Sequence, residues 1–266
     1  MKQFSTLNTQ EKQEALKILN YQIRSCKNCG LSVTRKHALT GEGNIDARIM
    51  FVALSPGVNE DSNNQMFIGP SGQILNNLLL AIGIKRELVF MTNLVKCMLP
   101  KNRKPKIDEI EACGQYLDDE INIIHPKVIV PLGYYAARTL LTKYHADLLE
   151  PPINLTKIVF GNLLFLEGHK IYPLPHPASL LYKPSYEPDT IEKYKKLQIL
   201  LHECKWFSVC PMKHFYETGR LERKWIELYC KGDWNNCVRY EMEELGQYHP
   251  DWMLPDGSIE SQKGED

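Results

Sequence analysis

Residues 48–61 read RIMFVALSPGVNED, an apolar, β-prone run over 48–54 that stops at Ser55-Pro56-Gly57 and passes into acidic residues. Three more runs of strand length follow: LVFMTNL (88–94), KVIVPL (127–132) and KIYPLP (170–175). Between them lie amphipathic stretches near 71–82, 106–124 and 133–143, each long enough for a crossover helix. Strands alternating with helices predict an α/β fold, with three α/β/α layers around a central, mostly parallel four-stranded sheet. A further strand near 157–166, with Gly161 and Asn162 at a turn, is expected to run antiparallel. Upstream, residues 9–24 carry apolar positions at helical spacing, and Asn8 and Glu11 stand where a capping pair would, predicting a short N-terminal helix.

In an open sheet of this kind ligands bind beyond the carboxyl ends of the strands. The segments there are SPGVNED (55–61), TNLVKC (92–97), GYYA (133–136) and HPASLL (176–181), which bring Asn, Glu, Asp and His to one edge. Taken singly, Pro-Gly and His-Pro are ordinary turn signals. Their arrival together at one edge marks it as the place for a ligand.

The composition excludes several classes. The chain has 266 residues, 32 basic and 32 acidic, with 43% hydrophobic and 24% charged residues, as in a folded globular protein rather than a disordered, collagen-like or coiled-coil one. No apolar run approaches the roughly 18–20 residues of a membrane span. The N-terminus, MKQFSTLNTQEKQEALKILN, lacks a signal-peptide core, so a cytoplasmic, nucleoid-associated location is expected. Two unlike parts emerge. All four tryptophans (Trp206, Trp225, Trp234, Trp252) follow residue 205; residues 206–266 carry 7 basic and 12 acidic residues, against 25 and 20 in residues 1–205. The expected organisation is a mildly basic domain over 1–205, a small Cys/Trp-rich module over 206–256 and a polar tail over 257–266.

The eight cysteines divide likewise into Cys26, Cys29, Cys97 and Cys113, and Cys204, Cys210, Cys230 and Cys237. In a reducing compartment, two sets of four read as metal sites more naturally than as disulfides. Four thiolates serve zinc or an iron–sulfur cluster, and spacing alone does not choose. The second set matches no standard zinc finger. His214 is an alternative fourth ligand there, and buried free cysteines among tryptophans are the plainer reading.

The motifs over residues 22–205 resemble the uracil-DNA glycosylase superfamily, most closely its iron–sulfur family 4. ALSPGVNED followed by MFIGPSGQIL is similar to that family's first motif, TNLVKCMLPKNRKP (92–105) to its second, and HPASLL to its His-Pro-Ala-x-Leu-Leu motif. The resemblance implies a monofunctional enzyme that flips uracil out of DNA and hydrolyses its N-glycosidic bond. It also implies a uracil pocket of Gly57, Glu60, Phe67, Asn93 and His176. Phe67 would stack on the base, Asn93 would read N3–H and O4 with its amide, Glu60 would lie near C5, and His176 would stabilise charge at O2. Leu180, Leu181, Tyr182 and Lys183 would fill the gap in the DNA, and Lys96, Lys101, Arg103 and Lys104 would face phosphates. By the same resemblance Cys26, Cys29, Cys97 and Cys113 would hold a [4Fe–4S] cluster that ties the N-terminal helix to the Asn93 loop. The second cysteine set, with zinc or an iron–sulfur cluster, lies outside the resemblance, as does any protein partner of its module.

One departure concerns water. Where family 4 has Gly-Glu, this chain has Ala53-Leu54, and leucine neither accepts a proton nor orients water. The resembling family 5 enzymes carry Gly-Leu-Ala-Pro here and are active, so the departure bears on rate and base range more than on reaction type. Asp61 and Asn59 are the nearest polar candidates to place the water. Two other readings stay open: a damaged-base binder without turnover, and an enzyme preferring hypoxanthine or xanthine.

Overall fold

A computed structural model describes residues 7–146, 154, 158 and 160–259. Its strands are β1 (Glu42–Gly43), β2 (Ile49–Ala53), β3 (Phe90–Asn93), β4 (Val128–Pro131), β5 (Leu164–Leu166) and β6 (His169–Ile171). The helices are α1 (Thr9–Ser25), α2 (Leu31–Thr34), α3 (Val58–Asn63), α4 (Pro70–Ala81), α5 (Ile107–Ile124), α6 (Gly133–Lys143), α7 (Ser179–Tyr182), α8 (Glu187–Ile199), α9 (Pro211–Glu217), α10 (Arg223–Trp225) and α11 (Val238–Glu244).

The strands form one six-stranded sheet in the order β1-β3-β2-β4-β6-β5. β3, β2, β4 and β6 run parallel, as the sequence predicts, while β1 and β5 add an antiparallel strand at each edge. The four-stranded expectation is thus corrected to six: β1 has only two residues and leaves no apolar run to read, and β5 adds the further strand expected beside the four. The strand expected near 157–166 falls partly outside the described residues; its described part is β5, and the hairpin turns at Glu167-Gly168, where both residues have positive φ.

Both faces of the sheet are covered, which is why β2 is apolar at every position. Alternation along it sends Met50 and Val52 to one core and Ile49, Phe51 and Ala53 to the other. The first core is closed by Leu16, Leu19 and Ile23 of α1, Leu117 and Ile121 of α5, and Leu140 of α6. The second is closed by Leu75, Leu78 and Leu79 of α4 and Tyr194 and Leu197 of α8. Three α/β/α layers result. α1 starts at a capping box in which Asn8 Oδ1 accepts from Glu11 N–H and Glu11 accepts from Asn8 N–H. α4 begins with Pro70 at a position whose N–H needs no partner.

The C-terminal segment has a core of its own: Met212, Leu221, Ile226, Cys230 and Leu254. It leans on the β5–β6 edge through the Lys170–Glu227 ion pair at 3.0 Å and on α8 through Lys196–Asp233 at 2.9 Å. Among the described residues no helix is long and apolar enough to cross a membrane.

Candidate active site

β2 opens into the loop that carries the first motif. Pro56 is buried, and α3 turns Glu60 and Asp61 inward. Glu60 accepts the Gly69 N–H at 2.8 Å and so ties the two ends of the loop together. A Cβ at Gly57 would come within 2.5 Å of one Glu60 oxygen, and a Cβ at Gly69 within 3.0 Å of the other, so a side chain at either end would press on the Glu60 carboxylate that holds the Gly69 N–H. Asp61 is spent differently from the water-placing role expected of it. Its oxygens accept the N–H groups of Lys36 and His37 at 3.0–3.1 Å, anchoring the segment after α2 to this loop. Leu54 packs against the core on the α1/α5 side.

The same loop presents Phe67, buried and held at φ +51, a conformation that a bulky residue adopts only when its surroundings impose it. The imposing groups come from three elements. Arg86 donates to the Met66 and Phe67 carbonyls at 2.6 and 3.2 Å; Glu42 of β1 accepts the Met66 N–H at 3.1 Å; and α4 approaches so closely at Gly72 that a Cβ would overlap the Phe67 carbonyl. Sequence reading missed Arg86 and Glu42, which lie outside the motifs.

Asn93 ends β3 beside the end of β2, in register with Ala53. It is 2% exposed, yet its amide makes one contact with protein, Nδ2 to Met66 Sδ at 3.2 Å, and its Oδ1 meets no donor among the described residues. The contact places Asn93 next to the Phe67 turn. Behind it lies Lys96, 1% exposed rather than facing phosphates as expected. Lys96 Nζ donates to Thr92 Oγ1 at 2.7 Å, to the Asn93 carbonyl at 2.9 Å and to Glu120 Oε2 at 2.7 Å. Glu120 also accepts from Thr92 Oγ1 at 2.6 Å and from the Gly41 N–H at 3.0 Å, so every ionic valence in this dry pocket is met.

His176 follows β6. Its Nδ1 accepts the Ala178 N–H at 3.1 Å, which leaves the ring proton on Nε2. Burial disfavours the imidazolium and pushes this histidine down to about 4, so the ring is neutral across the physiological range. Gly133, at φ +80 just past β4, lies under it: a Cβ there would come within 2.9 Å of the His176 Cβ. The structure therefore brings an amide with unspent bonds, a clamped aromatic ring and a neutral imidazole N–H to one sheet edge.

The expected DNA-facing residues divide. Leu180 is buried in the core under α8, whereas Leu181 and Tyr182 are 48% and 84% exposed on the same short helix. Lys183 sits over the Tyr186 ring at 5.2 Å. Arg103 grips Glu109 with both nitrogens and braces the start of α5, leaving Lys101 and Lys104 as exposed cations of that loop.

Cys26, Cys29, Cys97 and Cys113 meet where α1 ends, β3 exits and α5 passes, and all are free thiols. Hydrogen-bond donors approach them: Arg35 Nη1 lies 3.1 Å from Cys97 Sγ and the Asn28 N–H 3.5 Å from Cys26 Sγ. Burial pushes the Cys113 thiol up to about 11 and raises that of Cys97. Among the described residues no three His, Cys, Asp or Glu side chains are gathered tightly enough for a single ion. Four thiolates are the donor set of a cubane cluster, in which each thiolate binds its own iron.

Comparison with known proteins follows the same lines. The sequence profile of the uracil DNA glycosylase superfamily matches residues 40–199. The Type-4 uracil-DNA glycosylase of Sulfurisphaera tokodaii is 35% identical over 216 residues, covering 80% of this chain and 94% of that protein. Those of Saccharolobus solfataricus and Thermotoga maritima are each 38% identical, over 186 and 176 residues, covering 69% and 66% of this chain and 85% and 88% of theirs.

Proposed function

The chain belongs to the uracil DNA glycosylase superfamily, and we infer that it is a monofunctional DNA glycosylase that excises uracil by hydrolysing the N-glycosidic bond, opening base excision repair. The observation that carries the reading is Asn93, a buried amide whose strong hydrogen-bonding capacity the protein leaves unspent.

The base is flipped from the stack onto the Phe67 ring, where Asn93 Oδ1 accepts uracil N3–H and Nδ2 donates to O4. Cytosine offers the opposite pattern and leaves both groups unmet. As the C1′–N1 bond breaks, its electron pair passes into the ring and negative charge gathers at O2. The neutral His176 donates Nε2–H there, a preorganised dipole in a desolvated recess. Water adds to C1′ and loses its proton to solvent. With Asp61 committed to Lys36 and His37 and no acid at Leu54, stabilisation of the leaving uracil anion carries the rate. Glu60, through Gly69, shapes the loop wall that a 5-methyl group would meet. Leu181 and Tyr182 fill the vacated stack, and Lys101, Lys104 and Lys183 meet phosphates.

Cys26, Cys29, Cys97 and Cys113 would hold an iron–sulfur cluster, which when bound supplies four iron–thiolate bonds joining α1, the β3 exit and α5. Its role here is structural, since Cys97 lies four residues beyond Asn93. Cys97→Ser is expected to bleach the visible absorption of the purified protein and lower uracil release together; intact colour would remove Cys97 from the ligand set. We assign residues 1–205 to the glycosylase domain and 206–256 to an appended module.

The test of function is base release from an oligonucleotide with a single uracil, read by alkaline cleavage, against thymine and hypoxanthine controls. Release of uracil by the wild type, lost in Asn93→Ala, is expected. Tight binding without release, or release of hypoxanthine alone, would overturn the assignment.

A further inference from the structure

The C-terminal module carries a site that the glycosylase reaction does not use. Cys204, Cys210, Cys230 and Cys237 come from four separate turns and all line one cavity of about 60 Å³. His214 does not line it; that side chain is exposed, beside Phe215. The cysteines are free, so no disulfide accounts for their meeting. Backbone N–H groups of Trp206 and Phe207 lie near enough to Cys204, and those of Arg239 and Tyr240 to Cys237, to favour the thiolate of each. Cys230 closes the π-helical turn Ile226–Cys230, a rare geometry found most often where a side chain must be aimed at a function.

The charge count points the same way. Arg239 lines the cavity, is 2% exposed and has no carboxylate partner among the described residues. Its Nη1 is held by the carbonyls of Pro250, Asp251 and Met253, while among the described residues Nε and Nη2 have no partner, nor has Trp234 Nε1 on the same wall. The nearest acid on the wall, Glu243, pairs with His249 at 3.0 Å. A buried guanidinium with open donors and no anion costs several kcal/mol, and four thiolates on one metal centre supply the missing negative charge. The cysteine site beside α1 repeats the pairing, with Arg35 on Cys97. The small core of the module needs such support, since a cluster of five buried apolar side chains is little for about fifty residues.

We propose that Cys204, Cys210, Cys230 and Cys237 are the thiolate ligands of a second metal centre, faced by Arg239. Four thiolates serve either an iron–sulfur cluster or zinc; a cluster is the expected occupant, by analogy with the arginine-faced set of Cys26, Cys29, Cys97 and Cys113, and zinc the alternative.

The experiment is the iron, sulfide and zinc content of the full chain purified without oxygen, in the wild type, Cys204→Ser/Cys237→Ser and Cys97→Ser/Cys113→Ser. The expected wild type holds about eight irons and each double variant about four, one cluster remaining in each. Loss of one zinc per chain in Cys204→Ser/Cys237→Ser, with iron unchanged, keeps the centre and overturns the cluster. The Cys97→Ser/Cys113→Ser chain leaves the C-terminal ligands untouched, so misfolding of the other variant does not blur the answer. If it holds neither iron nor zinc, there is no second centre.

Discussion

His176→Ala is expected to lower the single-turnover rate of uracil release by about 10²–10³-fold, the usual cost of removing one preorganised donor to a developing oxyanion. Affinity for uracil-containing DNA should change little, because the charge on O2 that this N–H meets exists only as the glycosidic bond breaks. The pH profile separates this role from a merely structural one. The imidazole is pushed from its ordinary 6.5 down to about 4 by burial, and Nδ1 is committed to the Ala178 N–H. His176 therefore stays neutral, and the rate should be flat with respect to it from about pH 8 to pH 5 and fall only as pH approaches 4. An imidazolium catalyst would instead lose rate as pH rises through the ordinary histidine range, and that result would overturn the neutral-donor assignment. Stability follows with its own sign. The unfolded chain takes up this proton at a higher pH than the folded one, so the contribution of His176 is complete above 6.5 and is lost as pH falls from 6.5 towards 4.

Gly133 belongs to the same argument. Its φ of +80 and its contact with the His176 Cβ leave no room for a side chain. A residue at another strand's exit thus packs directly against His176.

What the sequence conveyed and what it withheld follow from how far each interaction reaches along the chain. Strands buried on both faces are unbroken apolar runs, so β2, β3 and β4 announce themselves, as do α4 and α5 by their periodicity. β1 has two residues, Glu42 and Gly43, and exists only because Phe90 and Met91 pair with it; nothing local marks it. Within the site, residue types were legible and directions were not. Leu180 and Leu181 are equivalent as letters, yet a helical turn sends one into the core and the other to solvent. Asp61 looked available for water because its true partners, the amides of Lys36 and His37, lie 24–25 residues earlier. Arg86 and Glu42 hold the Phe67 turn from outside any motif. Lys96 was the most misleading, since in KCMLPKNRK it reads as one more surface cation.

That lysine carries the largest stability effect expected in the chain. Lys96→Met removes one partner of a pair whose side chains are 2% and 0% exposed and leaves the Glu120 carboxylate dry, with its hydroxyl and amide donors but no cation. Breaking such a pair costs about 3–5 kcal/mol, read as a lower denaturant midpoint at unchanged m-value. Glu120→Gln on top of Lys96→Met should restore much of that loss, because it is the unpaired charge and not the missing attraction that destabilises. Catalysis should not recover in parallel. Lys96 Nζ holds the Asn93 carbonyl at 2.9 Å and Thr92 Oγ1 at 2.7 Å, and neither bond returns with the second substitution. The refolded double variant should therefore still release uracil slowly and discriminate poorly against cytosine, with Asn93 present but loosely aimed. Wild-type discrimination in that variant would show Lys96 to be a stabilising ion-pair partner alone. Persistence of the defect in a stable protein would identify it as the residue that positions the base-reading amide.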